Sequence, residues 1–117
     1  MRVALIGFGT LAQRYYVPAL RLQKDVHVVD VVDPLKETWP LAKSAFPSAK
    51  LTVDCHDLLK KDSIEAVLVA TPPSDHLEIA RSCARQSIPV FVEKPLMLSD
   101  QVDDLHDNET DWKNVTV

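Results

Sequence analysis

Only two glycines occur among 117 residues, and both fall in Gly7-Phe8-Gly9-Thr10-Leu11-Ala12. This G-x-G-x-x-A run lies between a continuous apolar stretch, Val3–Ile6, and a helical pattern from Thr10 to about Leu22. A strand, a glycine turn and a helix in that order form one half of a phosphate-binding βαβ unit. The first glycine permits the tight turn. The second lets a pyrophosphate approach the backbone with no Cβ in the way, and the small third residue lets helix and strand pack closely. The helix tip then presents free N–H groups and a positive dipole end.

The rest of the chain alternates in the same way. Val26–Val32 is a β-branched strand, and Thr38 caps a helix with Pro40 in its first turn, running to about Phe46. Leu51–Val53 is a short strand, and Asp54 or Asp57 begins a short helix through Lys60. Ala66–Ala70 is a buried strand, followed by the loop Thr71-Pro72-Pro73-Ser74. Ser74 or Asp75 caps the next helix, with Glu78 placed to close a capping box on Asp75. In that helix Leu77, Ala80 and Ala84 share a stripe, with Cys83 beside it. Pro89–Val92 is a fifth strand, Ser99 caps a last helix to about His106, and Val115–Val117 begins a sixth strand. Strands separated by helices imply right-handed crossovers and a doubly wound, mostly parallel α/β sheet of Rossmann type. Residues 1–117 read as one domain.

Charge and cysteine usage exclude several functions. The net charge is −4, but residues 1–98 carry 12 Lys/Arg against 11 Asp/Glu, while residues 99–117 hold one Lys and six acids. The body of the domain has no basic stripe, so nucleic acid is not expected as a partner. The acidic stretch from Asp100 to Asp111 reads as a solvated face. No apolar run approaches the roughly 20 residues of a membrane helix. Cys55 and Cys83 have no metal spacing, and Cys83 reads as a core thiol. His27, His56 and His106 lack a partner motif and read as surface residues. A reducing, cytoplasmic location is expected.

Asp33 ends the second strand 21 residues after Ala12, near the roughly 20 expected of the acid that binds an adenosine ribose. A carboxylate there repels a 2′-phosphate, so NAD is favoured over NADP, with Lys36 nearby to soften that preference. A turn residue before Pro34 is the plainer reading of Asp33.

Together with Thr71-Pro72-Pro73-Ser74-Asp75-His76 and Glu93-Lys94-Pro95, the glycine run resembles the Gfo/Idh/MocA oxidoreductases, the glucose–fructose oxidoreductase and inositol dehydrogenase family. The resemblance covers nearly all of residues 1–107. It implies that Gly7, Phe8, Gly9, Thr10, Leu11 and Ala12 hold the cofactor's diphosphate. It implies that Thr71 and Pro72 lie along the ribose and nicotinamide, and that Glu93 orients the site. It further implies that Lys94 is catalytic, facing the cofactor and the reacting carbinol of a small sugar or polyol, with Pro95 shaping the turn. A lysine at the carboxyl end of a parallel strand stands where ligands bind, and a cation there stabilises developing alkoxide. His76 is implied as a local hydrogen-bonding residue. The Glu93-Lys94-Pro95 run argues against another Rossmann user such as an S-adenosylmethionine-dependent methyltransferase.

Two departures from the family carry expectations. The family's α+β substrate domain, with its aspartate–histidine acid/base pair, would follow the last residue of this sequence. A truncated domain that binds cofactor but turns over poorly is therefore expected, with a non-catalytic dinucleotide sensor acting through a protein partner as the alternative. Surfaces bared in this way favour self-association into a dimer or larger species. The second departure is Ser87, which stands where the family usually ends the preceding helix with glycine. A left-handed backbone there would cost on the order of 1 kcal/mol.

Overall fold

The computed structural model describes residues 1–60, 62–105 and 110–117. Six parallel strands form one sheet in the order β3-β2-β1-β4-β5-β6, where β1 is Arg2–Ile6, β2 His27–Val32, β3 Lys50–Thr52, β4 Ala66–Val69, β5 Val90–Val92 and β6 Val115–Thr116. The order reverses between β1 and β4, which is the switch point of a doubly wound sheet. The sixth strand is present, pairing Val90 with Val115 and Phe91 with Thr116.

Burial follows from the apolar runs. In β1, Ala4, Leu5 and Ile6 are all buried, as a central parallel strand requires. Ala4 and Ile6 pack with Val67, Val69, Val90 and Val92 against α3 (Pro73–Arg85) through Ala80 and Cys83. Leu5 and Val31 face the other way, toward Phe8, Ala12 and α2 (Trp39–Ala45). That second face is left open over the far strands. Met1, Val3, Leu20, Leu68, Phe91 and Thr116 line an apolar groove of about 320 Å³ there.

Residues 10–22 form one continuous helix, but Ala12–Tyr16 is a π turn leading into α1 (Val17–Leu22). Val17 N–H donates to Ala12 O, five residues back, just before Pro18, which has no amide to give a regular ladder. The kink expected at Pro18 thus takes the form of a widened turn.

Helix starts differ from the sequence reading. Thr38 stands at the N-cap of α2, with Pro40 in the first turn as expected, but its side chain makes no capping bond. Thr38 is helical itself, inside a 3₁₀ turn Lys36–Thr38, and its hydroxyl donates to Leu35 O. Neither Ser74 nor Asp75 caps α3. The extended Pro72 is its N-cap and Pro73 its first residue, a position where a missing amide costs nothing. Glu78 pairs with Arg81 at 3.0 Å instead of closing a capping box. Ser99–Leu105 is 3₁₀ and not α, in keeping with its poorly helix-forming aspartates. Leu58–Lys60 is likewise one 3₁₀ turn. His106 lies outside the described residues, while His27 and His56 are exposed as expected. No helix among the described residues is long and apolar enough to cross a membrane.

Candidate functional site

The glycine turn shows why each glycine is where it is. Gly7 has φ +93°, and a Cβ on it would stand 2.7 Å from the carbonyl carbon and oxygen of Ala70. The turn therefore presses directly on the end of β4. Gly9 is the opposite case, since a Cβ there would meet nothing within 4 Å. Open space above Gly9, at a helix tip, is the room a diphosphate needs. Among the described residues, the amides of Gly9, Thr10 and Leu11 find no protein acceptor. Ala12 is fully buried against Leu5 and Phe8, which is the close helix–strand contact its small size permits.

Phe8 is placed differently. Its ring is buried, and its N–H donates to Asp33 Oδ2 at 2.7 Å. Asp33 Oδ1 accepts from Leu35 N at 2.8 Å, and Trp39 Nε1 donates to Asp33 O at 3.0 Å. The carboxylate is buried and fixed from both sides, at the carboxyl end of β2. Each carboxylate oxygen retains a lone pair for a further donor, such as a ribose hydroxyl. Lys36 lies 5.6 Å over the Trp39 ring, engaged by the indole face.

Across the switch point stand the loops after β4 and β5. Thr71 is half-buried, and its hydroxyl is buried with no hydrogen-bond partner among the described residues. Pro72 is exposed beside it. Glu93 continues the ladder from β5, its N–H donating to Val69 O at 3.0 Å. Lys94 is exposed and has no ion-pair partner among the described residues, and the Lys94–Pro95 peptide is cis.

Two links are invisible to motif reading. The Tyr16 hydroxyl donates to Glu93 Oε1, joining the glycine helix to the Glu93-Lys94 loop. Burial, then the hydrogen bond and charge of Glu93, push the Tyr16 phenol well above its ordinary value. His76 is almost wholly buried, with both ring nitrogens against backbone carbonyls. Cys83 is the core thiol the sequence suggests, pushed up to about 12 by burial and then by Cys55.

Comparison with known proteins agrees with this fold. The model of the oxidoreductase family with an NAD-binding Rossmann fold matches residues 1–113. An inositol 2-dehydrogenase of Arthrobacter sp. (strain FB24) is 32% identical, over 98% of this chain and 32% of its own length. The scyllo-inositol 2-dehydrogenase (NAD(+)) of Bacillus subtilis is 30% identical, over 85% of this chain and 29% of its own. Among solved structures, the 3-ketoreductase KijD10 from Actinomadura kijaniata, in complex with NADP and TDP-benzene, superimposes with a TM-score of 0.73 and 27% identity. It is matched over 83% of this chain and 30% of that one. The chain thus spans about a third of the length of the relatives it matches.

Proposed function

Because the chain belongs to the Gfo/Idh/MocA oxidoreductase family, we propose that it binds a nicotinamide dinucleotide across the β1–β4 switch point, with NAD preferred over NADP. The observation that carries this reading is the helix tip, where three amides without an acceptor among the described residues border open space at Gly9. The buried, doubly anchored Asp33 supports the preference for NAD. A 2′-phosphate would bring negative charge against a carboxylate that cannot swing away, and Lys36 is drawn to Trp39. Among the relatives both cofactors occur, with NADP in KijD10 and NADH in the WlbA dehydrogenase from Bordetella pertussis.

When bound, the dinucleotide supplies or accepts a hydride. Gly9, Thr10 and Leu11 would hold its phosphates, Asp33 its adenosine ribose, and Thr71 and Pro72 the opposite half. Gly7 and Ala12 would shape the turn beneath the phosphates. Phe8 serves through its backbone, by fixing Asp33. Lys94 would face substrate, its ammonium stabilising developing alkoxide on a secondary alcohol of sugar or polyol type. Glu93 is held by Tyr16 and fixes the start of that loop. The inositol 2-dehydrogenases among the relatives favour a polyol. A cytoplasmic location and self-association through the open apolar sheet face, where Phe91 is 39% exposed, complete the reading.

Titration with NADH and NADPH, followed by tryptophan fluorescence, tests it. Trp39, bonded to Asp33, is the expected reporter. Saturable binding with NADH the tighter ligand is the expected result. Absence of binding by either nucleotide would overturn the assignment.

A further inference from the structure

His76 is 1% exposed, yet it is a polar, titratable side chain in the first turns of α3. Its Nδ1 lies 2.7 Å from Pro95 O and its Nε2 2.7 Å from Thr71 O. One carbonyl belongs to the loop after β4, the other to the loop after β5. Carbonyl oxygens only accept, so each contact is a bond only where the facing nitrogen carries hydrogen. Packing alone would be met by an apolar residue, as at Leu77 and Ala80 on the same helix.

Both loops leave neighbouring strands on the β4–β5 side of the switch point. In an open doubly wound sheet a dinucleotide crosses that point. Its adenosine half lies toward Asp33, just past the end of β2, so its other half lies over the β4 and β5 loops. There Thr71 offers a buried hydroxyl without a partner among the described residues, and Lys94 immediately precedes Pro95.

We infer that His76 is a positioning residue, a clasp that sets the separation of Thr71 from Lys94. It shapes the nicotinamide half of the site and leaves the phosphate and adenosine half untouched. This rests on the dinucleotide reading above. The three links, helix tip to Asp33 through Phe8, helix to Glu93 through Tyr16, and loop to loop through His76, then divide the site into separately held parts.

The test compares wild type and His76→Gln, each titrated with NADH and with ADP, which shares only the adenosine and diphosphate. Glutamine cannot span the two carbonyls, because its donors sit on one nitrogen at the end of the side chain while the ring sets a nitrogen against each. NADH affinity should fall about tenfold while ADP affinity stays within about twofold, with an unchanged far-ultraviolet circular dichroism spectrum. Equal losses for both ligands, or unchanged NADH affinity in a folded variant, would overturn the inference. Should the variant not fold, the wild-type protein decides by NMR. The His76 ring and Thr71 amide signals should shift with NADH and not with ADP, and signals indifferent to NADH would overturn it. A wild type that binds ADP but not NADH leaves the helix tip standing and removes the clasp. One that binds neither removes the dinucleotide reading and the clasp together.

Discussion

The carboxylate of Asp33 accepts the amide hydrogen of Phe8, 25 residues earlier in the chain, at 2.7 Å. This bond ties the end of β2 to the middle of the glycine turn. It gives Asp33 a structural duty besides any duty to a ribose, and the two can be separated. Asp33→Ala leaves the buried Phe8 N–H unpaired and should cost about 1–3 kcal/mol of stability. Asp33→Asn keeps an acceptor oxygen but loses the charge. It should weaken NADH several-fold while leaving NADPH affinity equal or improved, as read by parallel fluorescence titrations. Equal losses for the two cofactors would take Asp33 out of the ribose site.

The two glycines should fail in different ways. A methyl group on Gly7 meets Ala70 backbone at 2.7 Å, at a φ of +93° that side chains rarely adopt. Gly7→Ala should therefore destabilise the fold by about 3 kcal/mol or more. A methyl group on Gly9 meets nothing. Gly9→Ala should change thermal stability by less than about 1 kcal/mol, yet it fills the open space proposed for the phosphates and should weaken NADH binding. Thermal unfolding and titration of the same two variants check both halves. A Gly9→Ala protein that binds NADH as well as wild type would place the phosphates elsewhere.

Much of this fold is legible because central parallel strands cannot hide. Val3–Ile6 is apolar on successive residues and buried on both faces, while in Ala66–Ala70 one face, Val67 and Val69, is buried and the other, with Leu68, is half-buried beside the open groove. The glycine turn is legible for the same kind of reason, since Gly7 has no alternative. Helix starts were harder to read. Thr38, Ser74 and Asp75 have the chemistry of caps, but a 3₁₀ turn and the Pro72-Pro73 pair begin those helices earlier. The Tyr16–Glu93 bond spans 77 residues and no motif encodes it. It also depends on the π turn, which rotates the helix face away from a regular 3.6-residue period. Glu93 and Lys94 were readable by resemblance, whereas the tyrosine that holds Glu93 was not.

Cys83 makes stability depend on alkaline pH. Burial first, and Cys55 second, raise its thiol from 9.0 to about 12. The folded chain keeps this proton over a range in which the unfolded chain releases it. Its stabilising contribution is therefore fully present below about pH 9 and is lost as pH climbs toward about 12. Denaturant melts in that window should show falling stability, with a shallower fall in Cys83→Ala. At pH 8 iodoacetamide should modify Cys83 only after unfolding. Rapid labelling of Cys83 in the folded protein would contradict its burial.

Ser87 offers a stabilising change. It carries φ 55°, directly after the C-cap Gln86 of α3. Ser87 N–H donates to Ala84 O at 3.0 Å and Ile88 N–H to Cys83 O at 2.9 Å. These two bonds form a Schellman motif, so the chain keeps the left-handed ending that glycine would serve best and accepts the strain of a Cβ. Ile88, buried against Val90 and Cys83, explains why the turn does not relax to another path, since leaving αL would withdraw it from the core. Ser87→Gly relieves about 1 kcal/mol of strain, less what the freer unfolded chain takes back. A net gain of about 0.5–1 kcal/mol is expected, a rise in Tm of roughly 2–5 °C by calorimetry. Ser87→Ala retains the Cβ and should show no such gain, and a drop in Tm for Ser87→Gly would mean that the serine hydroxyl, not the backbone, secures this turn.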